Sequence, residues 1–207
     1  MSLLNEERAP AATAQHIRAA KREDATGMAQ TLAAAFYDDQ VFRHFSPDDD
    51  RRAVMLPGFF DVFVEAYLTH GATHAHAGGA GAALWAYPGQ DPISADAAYG
   101  ERLEEIAGID APKLFDIVEA LESQAPTEPH YHLQFLGVRP ERQGEGLGGA
   151  LMTPVLQRCD RDGIPAYLEA TSDRNRALYE RHGFRAHGAI PLPDGPALWR
   201  MWRDPVA

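Results

Sequence analysis

Val138-Arg-Pro-Glu-Arg-Gln-Gly-Glu-Gly-Leu-Gly-Gly149, read with Thr171-Ser-Asp-Arg-Asn175-Arg-Ala-Leu-Tyr179-Glu-Arg-His-Gly183-Phe184, decides the fold. The first stretch follows an apolar run, Leu133-Gln-Phe-Leu-Gly-Val138, that reads as a strand. Gly144, Gly146 and Gly148 then alternate, and Gly149 follows. Glycine lacks a Cβ, so its backbone can approach a ligand closely and take positive φ. Leu147, Leu151, Val155 and Cys159 recur at every fourth position, broadened by Met152 and Leu156, which marks one buried face of a helix. The first amides of a helix have no intrahelical acceptor, and the aligned peptide dipoles make that end positive. A glycine loop feeding a helix N-terminus therefore suits a pyrophosphate.

Other phosphate loops compete for this reading. Gly144, Gly146 and Gly149 fit the dinucleotide fingerprint, and Glu169 lies at roughly the 20-residue offset of its ribose-binding acid. A nicotinamide-dependent oxidoreductase is therefore one alternative. Against it, Arg139 to Gln143 intervene between the strand and the first glycine, where the dinucleotide motif turns tightly. Only the last quarter of the chain remains beyond the loop, too little for the repeated units of a doubly wound sheet. The triphosphatase loop is excluded because no Gly-Lys-Ser/Thr follows.

Gln143-Gly-Glu-Gly146-Leu-Gly148 matches Gln/Arg-x-x-Gly-x-Gly/Ala, and Asn175-x-x-x-Tyr179 follows on a second helix. Together they resemble the acetyl-CoA site of the GNAT family of N-acetyltransferases. The resemblance implies an α/β fold with a mixed sheet of about seven strands flanked by helices, consistent with one strand–helix–strand crossover between terminal hairpins. It implies that the loop from Gln143 through Gly144, Glu145, Gly146, Leu147, Gly148 and Gly149 holds the cofactor pyrophosphate. It also implies that Leu136, Gly137 and Val138 hydrogen-bond the pantetheine arm as a neighbouring strand would, and that Asn175 belongs to the cofactor site. A tyrosine at the position of Tyr179 supplies the proton to the CoA sulfur in the family. Leu168-Glu-Ala-Thr-Ser-Asp-Arg-Asn175, Pro193-Asp-Gly-Pro-Ala-Leu-Trp199 and Thr31-Leu-Ala-Ala-Ala-Phe36 are similar to the puromycin N-acetyltransferase type within that family. An antibiotic-like amine is the acceptor this implies, although Asp38 to Ser46 and Asp91 to Glu128 match least. A non-catalytic acyl-CoA sensor on the same fold is the second alternative.

Acetyl transfer needs an uncharged amine at the moment of attack and a donor for the departing thiolate. The residue that takes the amine's proton is left open between His132, Glu169 and no dedicated base. His132, Gln134, Leu136 and Val138 share parity on one strand, so they are expected to point to one face. His74-x-His76 and His130-x-His132 each put two imidazoles on one strand face, but no further Cys, His or carboxylate pattern completes a metal site. Tyr37-Asp38-Asp39 is a candidate contact for a cationic amine, and some of the aromatic set Phe36, Tyr37, Phe59, Phe63, Trp85 and Tyr87 is expected to line the acceptor pocket.

The rest of the chain bounds these readings. Residues 1–14 read as a loose tail and 15–207 as one domain with a sizeable core. The net charge of −11 argues against a nucleic-acid surface and is compatible with a cationic substrate. No apolar run approaches the roughly 20 residues of a membrane span. Cys159 has no partner for an internal disulfide, which fits a cytoplasmic, reducing location, and it sits on a core face. A monomer or homodimer is expected. His16 to Ala19 reads as a strand, Asp24 as the cap of a helix through Met28, Leu32 and Phe36, and Thr73–Ala77 with Ala80–Tyr87 as a hairpin. Helices are expected over Ala95–Ala107, Lys113–Leu121 and Arg174–His182, and closing strands over Arg185–Ile190 and Ala197–Trp202. Pro57-Gly58 is expected to interrupt or kink one apolar segment, and Pro154 to kink the helix after the loop.

Overall fold

A computed structural model describes residues 16–206, so the expected tail at 1–14 lies outside the described residues. Seven strands form one sheet: β1 (Ile17–Ala19), β2 (Gly71–His76), β3 (Gly81–Ala86), β4 (Tyr131–Val138), β5 (Ala166–Ala170), β6 (Arg185–Pro191) and β7 (Ala197–Arg203). Their order is β1-β2-β3-β4-β5-β7-β6, antiparallel except for the β4–β5 pair. A single parallel pair is not a doubly wound sheet, so the oxidoreductase alternative loses its scaffold.

The helices are α1 (Ala25–Phe36), α2 (Gln40–Phe45), α3 (Asp49–His70), α4 (Ala97–Ala107), α5 (Ala111–Glu122), α6 (Leu147–Asp162) and α7 (Asp173–Arg181). One apolar cluster joins α1 to α5 to one face of the sheet, and α6 covers the other face with Leu151, Met152, Val155 and Cys159. Helix α3 runs through Pro57 without interruption. The proline removes one backbone bond, but Phe59, Phe60, Val64 and Tyr67 are buried along the same helix. Each such side chain contributes about 1.5–3 kcal/mol, which outweighs that loss. Helix α6 likewise continues past Pro154 to Gly163. Helix α2 was not anticipated: Asp39 caps it, accepting from the Val41 amide at 2.9 Å.

Two buried arginines tie elements together. Buried Arg52 donates to the Tyr37 and Ser46 carbonyls at 2.9 and 2.8 Å, pinning the α1–α2 connection onto α3. Arg203, also buried, makes a two-pronged contact with Asp160 at 2.7 and 2.8 Å, tying β7 to α6. Removing Asp160 strands a buried guanidinium, so Asp160→Ala is expected to lower unfolding free energy by about 2 kcal/mol or more in urea denaturation. Arg203 holds the Asp160 carboxyl below its ordinary 3.8. The stabilisation is therefore complete above about pH 4 and disappears as pH falls through the depressed folded value, and the variant should lose this acid limb.

Candidate active site

Strands β4 and β5 pair only at Tyr131–Ala166 and His132–Tyr167, and no pairing with β5 continues beyond that. The far edge of β4 stays bonded to β3 through Val138. Among the described residues, no strand pairs with the β5-facing edge of Phe135–Val138, which leaves that edge open to an extended ligand. Gly137 lets α1 lie against this strand, because a Cβ there would meet Leu32 at 2.8 Å and Ala35 at 3.0 Å.

The glycine loop opens beside that gap. Gly144 and Gly146 adopt φ of +85° and +79°, with open space where a Cβ would stand. Gly146 is the left-handed N-cap of α6, and the Gln143 side-chain amide donates to the Val138 carbonyl at 3.1 Å, tying the loop to its strand. The cleft here, about 710 Å³, is walled by Leu136–Val138, Gly146–Gly149, Asn175 and Tyr179. Arg142, Arg174 and Arg181 also line it, together with Asp38 and Asp39. Free amides at a helix start, an uncovered strand edge and three arginines fit a phosphorylated, amide-bearing ligand such as CoA. Glu145 is an exception to the expected set: its carboxylate is turned to Arg142 at 2.8 Å. It is absent from the cleft wall.

A second cavity, about 130 Å³, lies behind the first. Phenylalanines 36, 42, 45, 59, 63 and 135 line it with Glu169, Gln134 and Thr171. The two spaces share Phe36, Leu136, Asn175 and Tyr179. Ser172 caps α7, its hydroxyl accepting from the Asn175 amide at 3.2 Å, and the four-residue spacing aims Asn175 and Tyr179 at this junction. Burial pushes the Tyr179 phenol above the ordinary tyrosine value, helped by the nearby Asp39 carboxyl.

The expected shared face of His132, Gln134, Leu136 and Val138 is not what the structure has. The register steps from Leu84–Phe135 to Trp85–Leu133, which makes Gln134 the extra residue of a β-bulge. The bulge inverts the alternation. Tyr131 and Leu133 pack with Leu136 and Val138 toward α6, while Phe135 joins the phenylalanines under α1 and α3. His132 therefore lies on the sheet face opposite Leu136 and Val138. There its Nε2 stands 2.8 Å from Glu169 Oε2. Burial alone lowers an imidazole, but the Glu169 charge outweighs it and raises His132 above 6.5. Burial likewise disfavours the Glu169 charge, yet His132, Tyr167 and His130 hold the carboxyl below its ordinary value. Glu169 is on the cavity wall and His132 stands behind it. Glu169, the acid that the dinucleotide fingerprint assigns to a ribose, is thus committed to His132.

Tyr37, Asp38 and Asp39, the expected amine contact, do not line the phenylalanine cavity, and Asp38 and Asp39 lie on the wall of the larger cleft. Tyr37 lies under the Arg52 guanidinium at 4.7 Å, and Asp38 is an exposed partner of Arg43 at 3.8 Å. Asp39 accepts from the Thr171 hydroxyl at 2.5 Å, Asn175 donates to that hydroxyl at 3.2 Å, and Gln40 donates to the Thr171 carbonyl. This bridge joins the α1–α2 connection to the start of α7 at the junction. Sequence reasoning missed it, although Asp before Gln-Val-Phe was readable as a helix cap. Of the expected aromatic set, Phe36, Phe59 and Phe63 line the cavity, whereas Trp85 and Tyr87 pack in the α6-side cluster. Cys159 is buried in the core with its thiol pushed up to about 12 by burial, which makes it an inert packing group. His76 accepts from the Gly78 amide at 3.0 Å, and His130 Nδ1 lies 2.6 Å from the Glu128 carbonyl. No helix among the described residues is long and apolar enough to cross a membrane.

The arrangement of splayed parallel strands, glycine loop and capped Asn–Tyr helix defines an acyltransferase with the GNAT fold. The Acetyltransferase (GNAT) family model matches residues 106–184. An uncharacterised N-acetyltransferase of Schizosaccharomyces pombe is 28% identical over 191 residues, 84% of this chain and 77% of that protein. A mycothiol acetyltransferase of Streptomyces coelicolor is 44% identical over 55 residues, 25% of this chain and 18% of that protein. The solved structure of a histone acetyltransferase HPA2 and related acetyltransferase from Corynebacterium glutamicum matches at TM-score 0.72 and 29% identity, covering 92% of this chain and 96% of that one. Fold, family model and relatives together support the GNAT acetyltransferase family for this chain, a family that uses acetyl-CoA as co-substrate.

Proposed function

We propose that the protein moves the acetyl group of acetyl-CoA to the primary amine of a small molecule by direct attack. The observation that carries this reading is the junction at Tyr179, one hydroxyl-bearing side chain on the wall of both spaces. One space offers the loop amides and three arginines beside Asp38 and Asp39, the other apolar rings and the Glu169 carboxylate. The amides of Leu147 to Gly149, with Arg142, Arg174 and Arg181, would hold the pyrophosphate end, and the uncovered β4 edge the pantetheine amides. When bound, acetyl-CoA supplies a thioester carbonyl and a thiolate leaving group.

Burial keeps the Tyr179 hydroxyl protonated at neutral pH and available to a thiolate. Glu169 meets the incoming ammonium at the cavity wall, and the His132–Glu169 pair receives the proton that the amine must shed. Asn175 and Asp39 fix the Thr171 hydroxyl beside Tyr179 and so hold the junction open to both spaces.

Free-thiol release from acetyl-CoA with a panel of amines, including puromycin for the antibiotic-like acceptor implied by the resemblance at Leu168–Asn175, tests the reading. Thiol release that depends on amine supports it. Amine-independent release, or a melting temperature raised by NADPH and not by acetyl-CoA, overturns it.

The proton-accepting pair has a pH signature. With His132 raised above 6.5 by Glu169, the rise of kcat/KM lies above pH 6.5 in the wild type. Glu169→Gln removes the cause of that shift and leaves the burial that opposes charge on His132. The variant's rise is expected at lower pH, with activity at pH 7 about 10-fold down and recovering as the free amine fraction grows. An unmoved limb in the pH–rate profile assigns the titration to the substrate alone.

A further inference from the structure

The acceptor cavity identifies more than an amine. We infer that the acceptor is a primary amine carried through a short chain on a single aromatic ring. The inference rests on the transferase reading above and deepens it.

Size is the first argument. A cavity of about 130 Å³ is close to the roughly 150 Å³ apolar cavity that admits benzene. It holds one ring and a short linker, and a nucleoside exceeds it. The character of the wall is the second. Phe36, Phe42, Phe59, Phe63 and Phe135 form an edge-to-face array. Phe63 meets Phe135 at 4.9 Å and 89°, and Phe42 meets Phe59 at 5.6 Å and 83°. A further ring continues such an array with the same centroid spacing, whereas a flexible alkyl chain gains only area from it.

The third argument is how little polar capacity is left. Gln134 Oε1 accepts from Tyr67 at 3.3 Å, and the Thr171 hydroxyl is engaged with Asp39 and Asn175. Among the described residues lining the cavity, Glu169 is the one carboxylate. One ammonium is matched in charge at Glu169, and no second carboxylate among the described residues lines the cavity. A second ammonium or a guanidinium would be desolvated without a countercharge. Helix α5 closes the outer side with Leu114, Ile117, Val118 and Leu121, and Val118 stands 40% exposed at the rim.

The test compares 2-phenylethylamine with ethylamine and spermidine at saturating acetyl-CoA, with calorimetric binding of each amine to the full chain as an independent readout. Burying the ring is expected to favour 2-phenylethylamine over ethylamine by about 10- to 100-fold in kcat/KM and in affinity. Spermidine should fall below 2-phenylethylamine in both. Val118→Trp, a change at an exposed rim position, should raise KM for 2-phenylethylamine at least 10-fold by filling the cavity, while calorimetry gives the wild-type acetyl-CoA affinity. Acetylation of spermidine in preference to 2-phenylethylamine overturns the inference and leaves the transferase reading standing. Binding of 2-phenylethylamine with the expected preference but no acetylation of any amine upholds the cavity assignment and overturns the transferase reading. Absence of 2-phenylethylamine binding, or an unchanged KM in Val118→Trp, overturns the inference whichever amine is acetylated.

Discussion

Tyr179→Phe is expected to lower kcat by at least about 100-fold, the usual scale for a positioned proton donor, with acetyl-CoA affinity nearly unchanged. The substitution removes one oxygen and keeps the ring, which packs edge-on against Phe184 at 6.0 Å. It should therefore leave the fold and the wall of the cleft intact. The phenol is buried and held above its ordinary titration range, so it is neutral throughout the working pH range. Its loss should therefore depress the whole pH–rate profile without moving the limb set by His132 and Glu169. A steady-state comparison of kcat, with acetyl-CoA affinity from calorimetry, checks this. Wild-type turnover in the variant would leave Tyr179 with only its packing against Phe184.

Gly146→Val is expected to weaken acetyl-CoA binding at least about 100-fold, enough to erase the ligand's effect on melting temperature at ordinary concentrations. Gly146 sits at φ +79° as the left-handed cap of α6. A β-branched residue is strained there by sterics alone, and the loop must rearrange to relieve it. Rearrangement turns the first amides of α6 away from the cleft. The position is exposed, with nothing within 4 Å of the point where a Cβ would stand, so the strain stays local to the loop. Thermal unfolding of the unliganded variant should stay near wild type. Unchanged affinity by calorimetry would remove the loop from the cofactor site.

These effects separate the local from the assembled parts of the site. The glycine loop, the buried stripe of α6 and the Asn175–Tyr179 spacing are legible in the chain, because each is set by residues a few positions apart. A missing Cβ, a 3.6-residue period and a serine cap act over one turn of backbone, whatever the rest of the protein does. The sheet class followed from the order of such segments. The tertiary structure decided what depends on partners far along the chain. The bulge at Gln134 arises only when β4 pairs with β3, and it moved His132 off the face of Leu136 and Val138 and onto that of Glu169. The Asp39–Thr171 bridge joins residues 132 positions apart. The phenylalanine cavity needs α1, α2, α3 and β4 packed together before it exists. Pattern in a sequence carries periodicity and local conformation. Which side chains face one another across a bulge or a cleft is set by long-range packing, and here that packing placed Glu169 on the ring-lined wall.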